Sequence, residues 1–362
     1  MKFRSADLEL LRELMRMRPV SADVAAVNRV VDRMAEHLAG HRLHLAIEEC
    51  GGGRKVLYAS TREGRTPALL LNAHLDVVPA IREEQYELAE EAGWLVGRGT
   101  GDCLGNAVVA ARFLIEHAAA EFDAGVVFST DEEIGGASTA RMVELGYGAR
   151  RAILVVDASY GKICIAQKGI LVLKLTAKGR GGHSSVPCSL DNPIDKLIVG
   201  YRRLLRGWRN PADYRDWRDS MAACRFDAGF ADNQVPDTAE MTVNFRYVKE
   251  SHRDRIIERV RRITGCEVEV GHECPPVEVA ADSPEMIALR GIMEKHLPGG
   301  KADFERMCGA TDARYFKECG VPLAMIGSNS RGVHAQDEAV EAASLDVLAG
   351  ILDDFGAAVA AE

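Results

Sequence analysis

The stretch Pro67-Ala-Leu-Leu-Leu-Asn-Ala-His74-Leu-Asp76-Val-Val-Pro79 decides the fold. Residues 69–71 are an unbroken apolar run, which predicts a strand buried on both faces and so an α/β sheet. The run gives way to His74 and Asp76, then to the turn-forming Pro79. In open α/β sheets the crevice beyond the carboxyl ends of the strands is where chemistry sits. An imidazole there, with a carboxylate two residues on, suits a metal ligand and the group that orients it. It suits a hydrogen-bonded loop histidine equally well. The rest of the chain has to decide.

Two more apolar runs end the same way. Residues 125–129 lead into Thr130-Asp131-Glu132-Glu133, and residues 152–156 end in Asp157. Three consecutive carboxylates after a buried strand repel one another unless a cation or a shared proton is present. Between the first run and residues 125–129, Gly97-Arg98-Gly99-Thr-Gly101-Asp102 precedes an apolar helix expected over 107–120. Closely spaced glycines before a helix can cradle a phosphate, or they can let the backbone carry Asp102 to another charge. An Asp at a helix start ordinarily only caps it. Gly51-Gly-Gly53 reads as a turn, and the acidic stretch 82–91 as surface.

At 362 residues the chain exceeds most single cores, so two domains are expected. A net charge of −9, with both signs interspersed, argues against nucleic acid or anionic membrane as partner. Residues 1–18 alternate at helical spacing and lack a signal-peptide core; no transmembrane run occurs. Nine cysteines without CxxC spacing suggest reduced thiols and a cytoplasmic location.

Near Lys168 the pattern changes. Residues 170–177 alternate apolar and polar, as in a strand with one wet face. Turns around His183, a helix over 192–205, a strand over 239–248, a helix over 251–264 and a strand over 266–270 follow. Their alternation, one strand short of a β-α-β-β-α-β order, suggests a ferredoxin-like α+β sandwich inserted into the first domain. The expected division is 1–168 and 284–362 for a three-layer α/β catalytic domain with a mixed sheet, and 169–283 for the insertion. Helices over 284–297, 311–319 and 345–357 and a strand over 323–326 complete the chain, with His334 in the loop before the last helix.

His74, Asp102, Glu133, Asp157 and His334 are two imidazoles and three carboxylates at strand ends, helix starts or loops. Such mixed N/O ligation suits Zn²⁺, or Co²⁺ and Mn²⁺. If Asp102 bridges, the five give two metals three protein contacts each, with open positions for water and substrate.

These motifs resemble the M20 family of co-catalytic metallopeptidases. His74-Leu-Asp76-Val-Val-Pro79, Gly97-Arg-Gly99 with Asp102 and Gly105, Asp131-Glu132-Glu133, Gly182-His183-Ser-Ser-x-Pro187 and His334-x-x-x-Glu338 occur in that family's order. The resemblance covers nearly the whole chain. It implies that His74, Asp102 and Asp157 hold one metal and Asp102, Glu133 and His334 the other, with Asp76 orienting His74. It implies Glu132 as general base, His183 as an oxyanion-stabilising group reaching into a partner subunit, and Asn233 and Arg246 as substrate contacts. It also implies a cis peptide at Asp102–Cys103 and a homodimer through the insertion, where an unpaired 170–177 strand offers an edge. Leu104 departs from the family's usual Lys, and an aromatic-Pro-Phe segment is missing near 85–92.

The implied function is hydrolysis of a peptide bond next to a free carboxylate, in the manner of dipeptidases and carboxypeptidases. Asp at 157 tends to accompany peptidases in the family, and Glu deacylases. An N-acyl-amino-acid deacylase of the acetylornithine or desuccinylase kind is the alternative. A non-catalytic binding protein on the same fold would be expected to have lost Glu132 or a ligand, and this chain retains all of them.

Overall fold

A computed structural model describes residues 3–119 and 122–360. It divides into two compact units: 1–165 with 278–305 and 311–362, and 166–277 with 306–310. The first is built on a nine-stranded mixed sheet. From its outer edge the order is His44–Glu49, Lys55–Ser60, Ala124–Ser129, Leu69–His74, Ala152–Tyr160, Leu323–Gly327 and Lys162–Gln167. The three runs that deliver acid or imidazole are adjacent and parallel, with His74 level with Ser129. Their carboxyl ends therefore open on the same side.

Alternation within the strands sorts residues onto two covered faces. Leu69, Leu71 and Ala73 join one apolar cluster with the helices Ser5–Arg16, Leu104–His117 and Ala342–Val359. Leu70 and Val127, equally buried, point the other way, where the helix Ala137–Glu144 packs on Ala124–Ser129. Burying each such leucine contributes roughly 1.5–3 kcal/mol. The Asp102–Cys103 peptide is cis. Asp102 does not cap the following helix; Cys103 occupies that position without a side-chain cap. Leu104 is fully buried and packs against Gly99, whose φ of +84° and lack of Cβ admit the contact.

The 82–91 stretch is less superficial than its charge suggests. Gln85 and Tyr86 are buried in the short 3-10 helix Glu83–Tyr86. The Gln85 amide takes the Ile81 and Arg82 N–H groups on its oxygen and donates from its nitrogen to the Ala335 carbonyl. A polar side chain satisfied on both ends can be buried at little cost.

The second unit is a four-stranded antiparallel sheet in the order Ser220–Ala228, Thr238–Tyr247, Gly169–Lys178, Glu267–Cys274. Helices Pro193–Arg206 and His252–Thr264 pack on it and on each other. Residues 306–310 belong here as well, tied by the Lys168 N–H to the Met307 carbonyl. One expectation fails outright. The strand containing 170–177 is interior, paired on both sides, and cannot serve as a free edge. The edges are Ser220–Ala228, unread in the sequence because Ala222-Ala-Cys224 breaks the alternation at a bulge, and Glu267–Cys274, also bulged. The nine cysteines are free thiols. Among the described residues no helix is long and apolar enough to cross a membrane.

Candidate metal centre

His74, almost wholly buried, lies at the centre of the cluster. Its Nδ1 donates to the Asp76 main-chain carbonyl at 2.9 Å, so Nε2 is the nitrogen that faces the acids, a donor while the ring is protonated and a free lone pair once it is neutral. Nε2 lies 2.8 Å from Asp102 Oδ1 and 4.0 Å from Asp157 Oδ2. The other Asp102 oxygen lies 3.2 Å from His334 Nε2, and Glu133 Oε1 is 3.0 Å from the same nitrogen. One carboxylate thus faces two imidazoles with its two oxygens. Donor atoms of His74, Asp102 and Glu133 fall within 4.8 Å of one another. Cys103 also comes within that distance of His74 and Asp157. Its thiol is engaged with the His74 backbone, and burial pushes its pKa up to about 12, so it suits packing rather than ligation.

The donor set fits a pair of divalent cations on physical grounds. Burial, and then the charge of Asp102, pushes Asp157 up to about 7. Asp102 goes the other way: hydrogen bonds from His334 and His74 outweigh its burial and hold it far below the carboxylate range. Hydrogen bonds to Asp102 and Glu133 raise His334 to about 10. Protons here do what cations would do better, since acids packed this closely need positive charge between them.

The three consecutive acids part company. Asp131 turns inward to accept from the Ser138 N–H and hydroxyl. Glu133 faces His334. Glu132 is nearly buried, and its Oε1 lies 3.3 Å from Arg314 Nη2 without hydrogen-bond geometry. Burial, then the charges of Asp312 and Asp157, push its pKa well above the usual range, against the pull of Arg314. A carboxylate so placed has the proton affinity that base catalysis needs.

Sequence reasoning gave Asp76 too small a part. Its carboxylate is 3.5 Å from the His74 ring, but it also accepts from the Ser21 hydroxyl at 2.6 Å and from the Glu132 and Glu133 N–H groups at 3.2 and 3.3 Å. It holds the base and the ligand loop together. In the sequence Arg98 and Glu338 stand only as letters of two separate motifs. They form a fully buried ion pair, with Glu338 Oε1 accepting from the N–H groups of Gly99, Gly101 and Asp102. Arg98 also donates to the carbonyls of His334 and Ala335, which steadies His334 in its left-handed conformation at φ 65°. Burial pushes Glu338 up to about 7 while Arg98 pulls it down. Donors on both its oxygens favour the carboxylate. Glu338→Gln strands the Arg98 charge and is expected to cost about 3–5 kcal/mol in urea unfolding. A loss within about 1 kcal/mol, the range of an exposed pair, would show that the pair does not hold these loops.

His183, Asn233 and Arg246 all lie in the second unit. His183 and Gln234 are paired across two short strands, and the Ser184 N–H donates to the Asn233 carbonyl. His183 Nδ1 accepts from the Ser185 N–H at 3.2 Å, so its neutral ring carries the proton on Nε2. Arg246 sits between Ser220 and Ile170 in the sheet.

Taken with the family match, this acid-imidazole cluster at the carboxyl ends of parallel strands belongs to a metal-dependent hydrolase acting on amide C–N bonds. The chain belongs to peptidase family M20/M25/M40, whose family model matches residues 70–356. It is 27% identical over 375 residues to a succinyl-diaminopimelate desuccinylase of Halorhodospira halophila, covering 97% of each chain. In fold it is similar to an M20 metallo-carboxypeptidase from Sulfolobus solfataricus, with a TM-score of 0.80 at 15% identity over 98% and 99% of the two chains. A dinuclear metal-binding M20 peptidase from Bacillus subtilis gives a TM-score of 0.67 at 16% identity over 99% and 98%.

Proposed function

We propose that the chain hydrolyses a peptide bond next to a free carboxylate, as a dipeptidase or carboxypeptidase, using Zn²⁺ or alternatively Co²⁺ or Mn²⁺. His74, Asp102 and Asp157 would hold one cation, and Asp102, Glu133 and His334 the other. The observation that carries the reading is Asp102, with an imidazole on each carboxylate oxygen and Glu132 on the neighbouring loop. Two divalent cations there supply Lewis acidity, easing the deprotonation of water and polarising a carbonyl. Glu132 takes the proton of the attacking water and returns it to the amine nitrogen as the C–N bond breaks. Asp157, an Asp where deacylases of the family tend to carry Glu, favours the peptidase.

The desuccinylase similarity over nearly the whole chain favours a second reading, removal of an N-acyl group from an amino acid. Dipeptides assayed beside N-acetyl and N-succinyl amino acids, with each of the three metals, separate the two. Turnover of acylated amino acids alone would overturn the peptidase.

His183 would supply its Nε2–H to the carbonyl oxygen as negative charge builds there, acting in the partner's site of a cytoplasmic homodimer formed through the second unit. Asn233 and Arg246 would contact the substrate, Arg246 gripping its carboxylate. Mixing inactive His183→Ala with inactive Glu132→Gln should restore up to about a quarter of wild-type activity, because half the dimers are mixed and each has one intact site. No recovery, with subunit exchange shown independently, would confine His183 to its own chain or to no role.

A further inference from the structure

The second unit carries a concentration of charge that hydrolysis does not use. The chain bears a net −9, yet the helix His252–Thr264 has five arginines against Asp254 and Glu258. Arg255, Arg259 and Arg262 recur at helical spacing and share one face. With Trp208, Ile256 and Ile263 they line a cavity of about 420 Å³. A second cavity of about 400 Å³ shares Trp208, Asp219 and Arg259 with the first and adds Arg209, Trp217 and Arg218. The two adjoin through these shared residues to form a basin with an aromatic and aliphatic floor, its rim carrying Arg209, Arg218, Arg255, Arg259 and Arg262 against Asp219 and Glu258.

The floor is fixed. Trp208 meets Phe245 edge-on at 5.3 Å, and the Arg259 guanidinium lies 5.2 Å over the indole while donating to the Gly207 carbonyl. Asp219, the acid shared by both cavities, is already engaged by the His252 ring at 2.8 Å and the Val248 N–H at 3.0 Å. Its charge is not available to the arginines. Arg255 and Arg262 make no side-chain ion pair or hydrogen bond among the described residues. The buried Trp208 Nε1 also lacks an acceptor. Arg218 is paired with Asp216 at 2.6 Å and Glu258 stands on the rim of the first cavity, yet the arginines outnumber these acids, and their planar forks match the oxygens of phosphates and carboxylates.

We propose that this basin binds a small organic polyanion, a phosphate ester or a polycarboxylate. The guanidiniums take its oxyanions, and Trp208 with Ile263 packs against its carbon skeleton. None of the residues lining it is one assigned to hydrolysis, and the proposal does not depend on which amide is cleaved.

The test titrates the metal-loaded full chain with fructose 1,6-bisphosphate and, separately, with tricarballylate. Binding is followed by calorimetry and by tryptophan fluorescence. Wild-type protein is compared with Arg255→Gln/Arg262→Gln, whose exposed positions and good helix-forming replacements preserve the fold. At least one probe should bind saturably, and the double variant should weaken that binding by about tenfold or more as charge-assisted hydrogen bonds are lost. Hydrolysis without probe should be unchanged. Trp208→Phe, which keeps a ring against Phe245, should also weaken binding. Preference for the bisphosphate assigns a phosphate ester, and preference for tricarballylate a polycarboxylate. Absence of saturable binding by both, or equal binding by the double variant, overturns the proposal.

Discussion

Glu132→Gln is expected to retain its metals and to lose activity by about 10²–10⁴ in kcat, the range for removal of a general base. The substitution keeps the side chain's length and leaves the Glu132 N–H on Asp76 untouched. It removes the capacity to take up a proton, together with the negative charge facing Arg314. Because Glu132 is nearly buried, with its oxygen 3.3 Å from Arg314, water does not readily substitute for it. KM should change much less than kcat, since the proton transfer belongs to the transition state. Activity within a few-fold of wild type, at unchanged metal content, would remove Glu132 from the mechanism.

How much of this could be read from the chain depends on the range of the interaction. The three buried strands and their acid or imidazole endings were legible because period and burial are local properties of a few residues. That Leu69–His74, Ala124–Ser129 and Ala152–Tyr160 open at the same end of one sheet was legible too, whereas their order, with Leu69–His74 in the middle, is set by packing and not by any one run. The scaffolding behind the ligands was not legible. Ser21 reaches Asp76 across 55 residues, and Arg98 reaches Glu338 across 240. Neither pairing leaves a periodic trace, and arginine is ordinarily a surface residue. A weak signal did exist for Arg98 and Glu338, since both stood inside motifs already quoted.

The failures have local causes as well. The 170–177 alternation correctly marks a strand with one wet face, but alternation says nothing about which neighbours it pairs with. The true edge Ser220–Ala228, which pairs with Thr238–Tyr247 instead, mixes small, charged and aromatic residues around a bulge, so neither helix nor strand periodicity shows. Arg314 and Asp312, which flank Glu132, belong to the helix expected over 311–319, which forms from Ala313–Phe316 and the 3-10 turn Lys317–Cys319, but nothing local shows that they reach Glu132.

The largest effect on the centre itself is expected from Asp102→Ala, which should abolish binding of both metals and with it all hydrolysis. Oδ1 lies 2.8 Å from His74 Nε2 and Oδ2 3.2 Å from His334 Nε2, so one side chain serves both halves of the cluster. Without it each proposed cation keeps only two protein ligands, His74 with Asp157 and Glu133 with His334. Two ligands fall below the three that an open catalytic site ordinarily supplies. The loss is also electrostatic, since the acid that the imidazoles hold fully ionised is the one removed. Asp102→Asn separates these effects, as it keeps one oxygen donor and the side-chain volume but no charge. It should retain part of one metal at most. Metal content per chain after gel filtration, with circular dichroism to establish folding, reads the outcome. If Asp102 served only to start the Leu104–His117 helix, the Ala variant would lose some thermal stability and keep both ions at full affinity. That result would dismantle the bridging assignment.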